Sequence, residues 1–152
     1  MKIRDLFNTV HRLSMNRSGV NTKLAYAVKK NLRLLRAELK DANEVLQQVP
    51  EDLQEYDKAR LELCKEHCDH DEKGEPVTDD RGFVFTDPAA FAEIMKPLQE
   101  QYADALQARE DEIEALLDTE VQIEFHKIKV DDLPDNLNEN DIESLMDILW
   151  ED

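Results

Sequence analysis

The sequence is poor in the residues that build tight turns, crosslinks and membrane spans. Only 3 glycines and 5 prolines occur in 152 residues, which argues against disorder and against a β fold with many turns. The 2 cysteines, Cys64 and Cys68, do not make a disulfide framework, so we expect a reducing compartment. No apolar run approaches the roughly 18 residues of a membrane span, and polar residues interrupt the N-terminus where a signal peptide is apolar. These absences predict an intracellular protein.

Catalytic signatures are missing as well. The glycines are too few for a phosphate-binding loop, and no Gly-x-Ser-x-Gly motif occurs. Paired Glu-x-x-Glu motifs, which helical nucleotide pyrophosphohydrolases need on facing helices, cannot be assembled from the carboxylates present. We therefore expect no enzymatic activity and no cofactor.

Charge is what the sequence has in excess, and it is split along the chain. Residues 1–50 contain 10 Lys and Arg against 4 Asp and Glu, a net of +6. Residues 51–152 contain 9 against 32, a net of −23, which gives the overall −17. Such a distribution indicates a protein that meets a charged surface, either on a partner or on another copy of itself.

Hydrophobic spacing predicts helices in the first half of the chain. A basic amphipathic helix is expected within residues 1–18, and a long helix from a cap at Asn21 or Thr22 through Gln48. A further helix is expected from residue 51 to about residue 68. Because Pro50 leaves a short connection, we expect an antiparallel helical hairpin over residues 20–68. Its first helix is basic and its second acidic, so part of the charge split should be neutralised inside it.

Turn residues and alternation dominate the next part of the chain. Asp71 to Gly74 fits a tight turn, and residues 76–78 and 83–85 fit a small hairpin. A capped helix is expected over residues 88–118, with a kink or break near Met95 caused by Pro97. Alternating residues predict a strand over 119–130 whose phase slips near His126, and we expect it to pair with the 76–85 hairpin. Residues 131–152 should form a loop and a last helix capped by Asn138.

Together these patterns predict one domain over residues 1–152 with a mainly helical α+β fold. Its parts are a long antiparallel helical hairpin, a further kinked long helix and a small sheet of two or three strands. The segments in order are 1–18, 20–68, 69–87, 88–118, 119–130 and 131–152.

Two short segments resemble metal sites without satisfying their requirements. Cys64, His67, Cys68 and His70 are zinc-type ligands, but one short helix cannot surround the ion as two separated ligand pairs do. The segment from residue 69 to 80 opens like a calcium loop, yet Lys73 occupies a ligand position. We expect no metal at either segment.

Two charged clusters are the candidate contact residues. The basic one lies in the predicted second helix and the acidic one near the end of the 88–118 helix. Their members are Lys29, Lys30, Arg33 and Arg36 on one side, and Glu110, Asp111, Glu112 and Glu114 on the other. We do not expect direct nucleic-acid binding, because the −23 remainder repels phosphates within the Debye length.

Several segments, in this order, resemble a widespread family of small uncharacterised proteins of tailed bacteriophages, a domain of unknown function. The segments are 24–31, 56–60, 71–74, 121–128, then Leu133-Pro134 before Leu145-Met146. The resemblance covers roughly residues 20–150. It implies a phage origin, hence the host cytoplasm or the virion as location, and it supplies no catalytic residues.

Two functional hypotheses follow. The first is a non-enzymatic, phage-encoded interaction protein, either a virion or assembly component or an accessory factor that binds a host protein, with a protein partner or self-association. The alternative is an acidic mimic of DNA that inhibits a nucleic-acid-binding or defence enzyme of the host, because carboxylates at phosphate-like spacing can occupy a cationic groove.

Overall fold

The computed structural model describes residues 1–150, and the chain has the predicted mainly helical α+β fold. Seven α-helices are present in this part of the chain: α1 Ile3–Ser14, α2 Thr22–Glu38, α3 Lys40–Gln47, α4 Gln54–His67, α5 Pro88–Gln101, α6 Ala103–Leu117 and α7 Glu139–Glu143. Four two-residue strands complete it: β1 Thr78–Asp79, β2 Gly82–Phe83, β3 Ile128–Lys129 and β4 Leu149–Trp150. No helix within residues 1–150 has the length and apolar character to cross a membrane.

The backbone divides into two compact units. Unit 1 comprises Met1–Gln47 together with the chain from Ile113 onward, and unit 2 comprises Gln48–Glu112. The two helical segments expected to form the 20–68 hairpin fall on either side of this division, with α2 and α3 in unit 1 and α4 in unit 2. The expectation of a single domain stays a prediction.

Unit 1 contains a connected apolar core built from α1, α2 and the C-terminal segments. Its fully buried members are leucines and an isoleucine that lie at helical spacing or follow α7, because only one face of each helix is apolar. They are Leu6, Leu13, Leu24, Leu35, Leu145 and Ile148. The amphipathic helix predicted within residues 1–18 is confirmed, since Ile3, Leu6 and Leu13 are buried.

The second helix begins where predicted but is interrupted. Asn21 caps α2 by accepting a hydrogen bond from the amide of Leu24 at 2.9 Å. The prediction of one helix through Gln48 was wrong in detail, because Leu39 (φ −81°, ψ −3°) separates α2 from α3. The amides of Leu39 and Asn43 still bond the preceding turn, so the interruption is confined to one residue.

Ion pairs within unit 1 join its basic front to the acidic C-terminal half of the chain. Lys2 and Arg4 bond Asp118 and Glu114, Arg12 bonds Asp147, and Lys23 bonds Asp132. Part of the charge of the first helix of the 20–68 hairpin was expected to be neutralised by residues 51–68. The partners of these four cations instead come from residues 114–147, because unit 1 brings that segment against α1 and the start of α2.

The strand predicted over residues 119–130 is mostly an extended segment without a sheet. Only Ile128 and Lys129 form a strand, β3, and it pairs in parallel with β4. The prediction that this strand pairs with the 76–85 hairpin was wrong, because β1 and β2 form a separate sheet. The extended segment is held at its start by Met1, whose carbonyl accepts the amide of Val121 at 2.9 Å, so a sheet was not needed to fix it.

The C-terminal part of unit 1 has the predicted cap but a shorter helix. Asn138 accepts from the amide of Asp141 at 2.9 Å, and Asp141 accepts from the amide of Asn138, which completes a capping box. The helix ends at Glu143 instead of continuing toward Trp150, because β4 turns back to pair with β3.

A link between distant parts of unit 1 forms at Asp141. Its carboxylate accepts from both the amide and the hydroxyl of Ser18. The hydrogen bond from Ser18 is the main cause that lowers the pKa of Asp141. Beside it, a Cβ on Gly19 would collide with the side-chain amide of Asn136, so a larger residue here would displace that side chain.

Unit 2 contains α4 and α5, which pack on each other, and the start of α6. Asp87 caps α5 by accepting from the amide of Ala90 at 3.0 Å, with Pro88 at the first helical position, as predicted. Of the kink or break expected near Met95, the break was wrong: α5 runs through Pro97 to Gln101, and the interruption lies at Tyr102 (φ −109°, ψ 18°). Proline has no backbone N–H, so the carbonyl four residues before Pro97 receives no helical hydrogen bond. Because Pro97 is exposed, water can bond that carbonyl instead.

The turn and the small hairpin of unit 2 are confirmed. Gly74, at φ 78°, closes the first turn, and its amide donates to the carbonyl of Asp71 at 3.0 Å. In the hairpin, Thr78 pairs with Phe83 in an antiparallel register. Stacking of Phe85 on Phe91, with ring centroids 4.3 Å apart, joins the end of the hairpin to α5.

Candidate interaction surface

The four basic candidates all lie exposed on α2, within unit 1. Lys29, Arg33 and Arg36 follow one another at four and three positions, and Lys30 lies beside them. Helical geometry places residues at such spacing on one side of the helix. We call these four residues the α2 basic face. Sequence reasoning therefore selected residues that the fold keeps together and accessible.

Across the described residues, the α2 basic face has no ion pair, whereas five other cations of unit 1 do. Within the described part of unit 1, none of its four side chains contacts a carboxylate at ion-pair distance. Lys2, Arg4, Arg12, Lys23 and Lys40 all do. Along the α2–α3 segment, ion pairs thus occupy Lys23 and Lys40, and the α2 basic face between these two residues has none within residues 1–150.

An aromatic pair borders the α2 basic face. Tyr26 is 59% exposed, and its ring meets that of His126 edge to face with centroids 5.4 Å apart. The Nζ of Lys30 lies 3.3 Å from Nδ1 of His126 and 5.7 Å from the centre of the Tyr26 ring. Because an ammonium donates hydrogen bonds only, His126 accepts through Nδ1 in this arrangement.

Asn31 fixes the extended segment against α2. Its side-chain nitrogen donates to the carbonyl of His126 at 2.8 Å, and its side-chain oxygen accepts from the amide of His126 at 2.8 Å. Asn31 is fully buried, whereas His126 is half-buried, so the two bonds lie at the edge of the core. The amide side chain imitates the partner strand that His126 lacks. This contact occurs where the sequence indicated a phase slip.

A groove runs between α2 and the extended segment. It has a volume of about 300 Å³ and is lined by Lys30, Asn31, Arg33, Leu34, Ala37, Glu124 and His126. A second hollow of about 260 Å³ lies between Tyr26, Lys29, Lys30 and Arg33. Leu34 is 40% exposed and contributes an apolar wall. The surface therefore offers cations, two rings and an apolar strip side by side.

The acidic candidates are exposed but are not brought together in the same way. Glu114 accepts from Arg4 at 2.8 Å within unit 1. In unit 2, Glu112 pairs with Arg109 at 3.3 Å, and Asp111 accepts from Gln107 at 3.0 Å. Glu110 has no ion pair within the described part of unit 2. Half of the acidic cluster is thus already bound to arginines of this chain.

The candidate metal residues are used in other ways. Cys64 and Cys68 are free thiols and are buried. Asp69 accepts from the amide and hydroxyl of Thr86, and Asp71 accepts from the amides of Lys73 and Glu75. Across residues 1–150, no three His, Cys, Asp or Glu side chains are grouped to hold a metal ion.

Sequence reasoning missed Asn31, Tyr26 and His126 as parts of the surface. Asn31 lies four residues after Ala27 and four before Leu35, both of which are buried, so its spacing marked it as an inward-facing polar residue. Tyr26 and His126 gave no such signal, since their contact joins parts of the chain a hundred positions apart.

Neither the known protein families, the curated proteins nor the solved structures include a match to this chain.

Proposed function

We propose that this protein is a non-enzymatic interaction protein and that the α2 basic face binds an acidic segment of a partner protein. The observation that carries this is the contrast within unit 1. Five of its cations, Lys2, Arg4, Arg12, Lys23 and Lys40, pair with carboxylates. The α2 basic face has no ion pair in the described part of unit 1 and lies beside a groove. A fold that neutralises charge elsewhere leaves it available here.

The overall charge of −17 does not oppose such binding at short range. At 0.1 M ionic strength the Debye length is about 10 Å, so a ligand in the groove experiences mainly the nearest charges, which are the cations Lys30 and Arg33 and the single carboxylate of Glu124. Tyr26 and Leu34 add apolar area to the charged contacts, and exposed aromatic side chains contribute strongly to binding energy. The surface therefore suits a segment that combines carboxylates with apolar side chains.

The test uses a fluorescent peptide of alternating glutamate and leucine as the probe. Lys30→Glu combined with Arg33→Glu should weaken its binding at least about tenfold, corresponding to about 1.4 kcal/mol. The control is Lys65→Glu with Lys73→Glu, which changes net charge equally at exposed positions of unit 2. Equal weakening by the two variants would show that overall charge, and not the α2 basic face, governs binding.

We also carry forward a phage origin, on the resemblance of residues 20–150 to the tailed-phage family. It makes the partner a phage or host protein, and the location the host cytoplasm or the virion. Mass spectrometry of purified virions separates the two locations: a structural component of the virion is present in a defined copy number, whereas a free accessory factor occurs only in infected-cell lysate.

Acidic mimicry of DNA is the second candidate, favoured by the composition of unit 2. Residues 48–112 contain 7 Lys and Arg against 19 Asp and Glu, a net of −12. Only part of the acidic cluster is available to bind a cationic enzyme, because Glu112 and Glu114 already pair with arginines of this chain. Mimicry predicts that Glu110→Lys with Asp111→Lys abolishes competition with DNA for a cationic enzyme, and unchanged competition would rule out this face.

A further inference from the structure

The extended segment that follows Val121 has backbone groups without partners. Among residues 1–150, the amides of Gln122, Ile123, Glu124 and Phe125 donate to no protein acceptor. Most extended backbone in folded proteins is paired in a sheet or bonded by side chains. Here the chain lies open between Val121, which bonds Met1, and His126, which bonds Asn31.

Successive residues of an extended chain direct their backbone groups to opposite edges. Val121 bonds Met1 on one edge, and His126 bonds Asn31 of α2 on the other. By this alternation, the backbone groups of Ile123 and Phe125 face the same edge as Val121, away from α2. Those of Gln122 and Glu124 face the edge toward α2.

Both ends of the extended segment are paired with other strands, and the groove between these pairings is lined by Met1 on one side and by Met146 and Asp147 on the other. Lys2 forms an antiparallel bridge with Glu120, and β4 pairs in parallel with β3. Between these two pairings six residues, 122–127, have no strand beside them, a length of about 20 Å at 3.3 Å per residue. We call this open stretch of edge the slot.

An open groove of about 570 Å³ on unit 1 lies along the slot. Its lining is formed by Met1, Val121, Gln122, Ile123, Phe125, Lys127, Met146 and Asp147. Met146 is 61% exposed, and methionine side chains adapt readily to different apolar partners. Asp147 is neutralised by Arg12. The exposed Lys127 donates from Nζ to the backbone carbonyl of Asp147 at 2.6 Å, and within residues 1–150 it pairs with no carboxylate. The free charge at the slot is therefore positive.

Two copies of this chain cannot pair with each other slot to slot. Antiparallel pairing of the two edges would bring the Met1–Lys2 segment of one copy to the position that β4 occupies in the other. The flanking segments would collide, whereas a thin extended peptide has no such flanks. The occupant must also satisfy backbone groups, which a helix cannot do.

We propose that the slot binds a short extended segment of a partner protein, four or five residues long, as an added β-strand. The segment pairs with the backbone of Ile123 and Phe125, places apolar side chains against Met146, and carries a carboxylate toward Lys127. This proposal does not rest on the α2 basic face, which lies beside the opposite edge of the segment.

The experiment is amide hydrogen exchange by NMR with the peptide acetyl-Val-Glu-Val-Glu-Val-amide as the probe. In the free protein the amides of Ile123 and Phe125 should exchange fast, while that of His126, bonded to Asn31, is protected. At saturating peptide the exchange of Ile123 and Phe125 should slow about tenfold. The amides of Gln122 and Glu124, on the other edge, should not change.

Two matched peptides sharpen the result. Methylating the backbone nitrogens of the three central residues keeps the side chains and removes donors, so protection should be lost. Replacing both glutamates with lysine should weaken binding if Lys127 selects a carboxylate. Protection of Ile123 and Phe125 in the free protein, equal protection of all four amides, or no binding at about 1 mM peptide would each overturn the proposal.

Discussion

Unit 1 and unit 2 use different means to hold their shape. All of the largest fully buried side chains belong to unit 1. The most buried residues of unit 2 are Leu53, Cys64, Cys68 and Met95, each 5 or 6% exposed. Unit 2 depends more on caps, turn hydrogen bonds and ring contacts such as Tyr56 with Tyr102 at 5.5 Å. We infer that unit 1 carries most of the stability and that unit 2 opens first.

The largest expected effect is on the core of unit 1. Leu24→Ala removes a fully buried side chain, and we expect the free energy of unfolding to fall by about 2–5 kcal/mol, since a cavity forms. Urea denaturation followed by circular dichroism measures this. Leu34→Ala, at a 40% exposed position of the same helix, should change it by less than about 0.5 kcal/mol. Similar losses from both would contradict the assignment of the core.

Asn31→Ala should produce the next largest effect. It leaves the amide and the carbonyl of His126 without their partners, and an unsatisfied buried group costs about 1–3 kcal/mol. Urea denaturation gives the total. Hydrogen exchange adds a local readout, because the amide of His126 should lose its protection. If His126 stays protected in the variant, Asn31 does not hold the segment.

A pair of cap variants compares the two units directly. Asp87→Ala removes the cap of α5 in unit 2, and Asn21→Ala removes the cap of α2 in unit 1. Each should cost about 1 kcal/mol. Hydrogen exchange should show the loss at Asp87 within unit 2 only, with unit 1 amides unchanged. Equal loosening of both units by Asp87→Ala would mean that they unfold together.

The smallest expected effect is a change in the pH dependence of unit 1. Hydrogen bonds hold the pKa of Asp141 below its ordinary value, chiefly the one from Ser18. A carboxyl with a lowered pKa contributes stability above the unfolded-state value, about 3.9, and loses it as pH falls through the folded value. Unit 1 should therefore lose stability below about pH 4.

Asp141→Asn tests this origin. The variant lacks the titrating group, so its midpoint in urea should change less between pH 5 and pH 3 than that of the unaltered protein. Asp135→Asn changes a nearby carboxyl for which no hydrogen bond to Ser18 exists and serves as the control. The same pH dependence in both variants would place the acid sensitivity elsewhere.

The parts of the fold that could be predicted are those set by neighbours in sequence. Caps at Asn21, Asp87 and Asn138, the turn at Gly74 and the 78–83 hairpin are all decided within a few residues. The α2 basic face was predictable for the same reason, because helical spacing alone gathers its members. Which cations remain unpaired was not predictable, since the carboxylates that pair with Lys2, Arg4, Arg12 and Lys23 lie more than a hundred positions away.

The sequence by itself determined a mainly helical chain, because periodic apolar residues and capping side chains act over one or two turns. Only the tertiary structure decided the fate of residues 121–127. Their alternating pattern predicted a paired strand. Instead, Met1 bonds Val121 and Asn31 bonds His126, and the amides between them have no protein acceptor among residues 1–150. A strand's partner is chosen by distant segments that compete for the same hydrogen bonds, and no local pattern encodes the outcome of that competition.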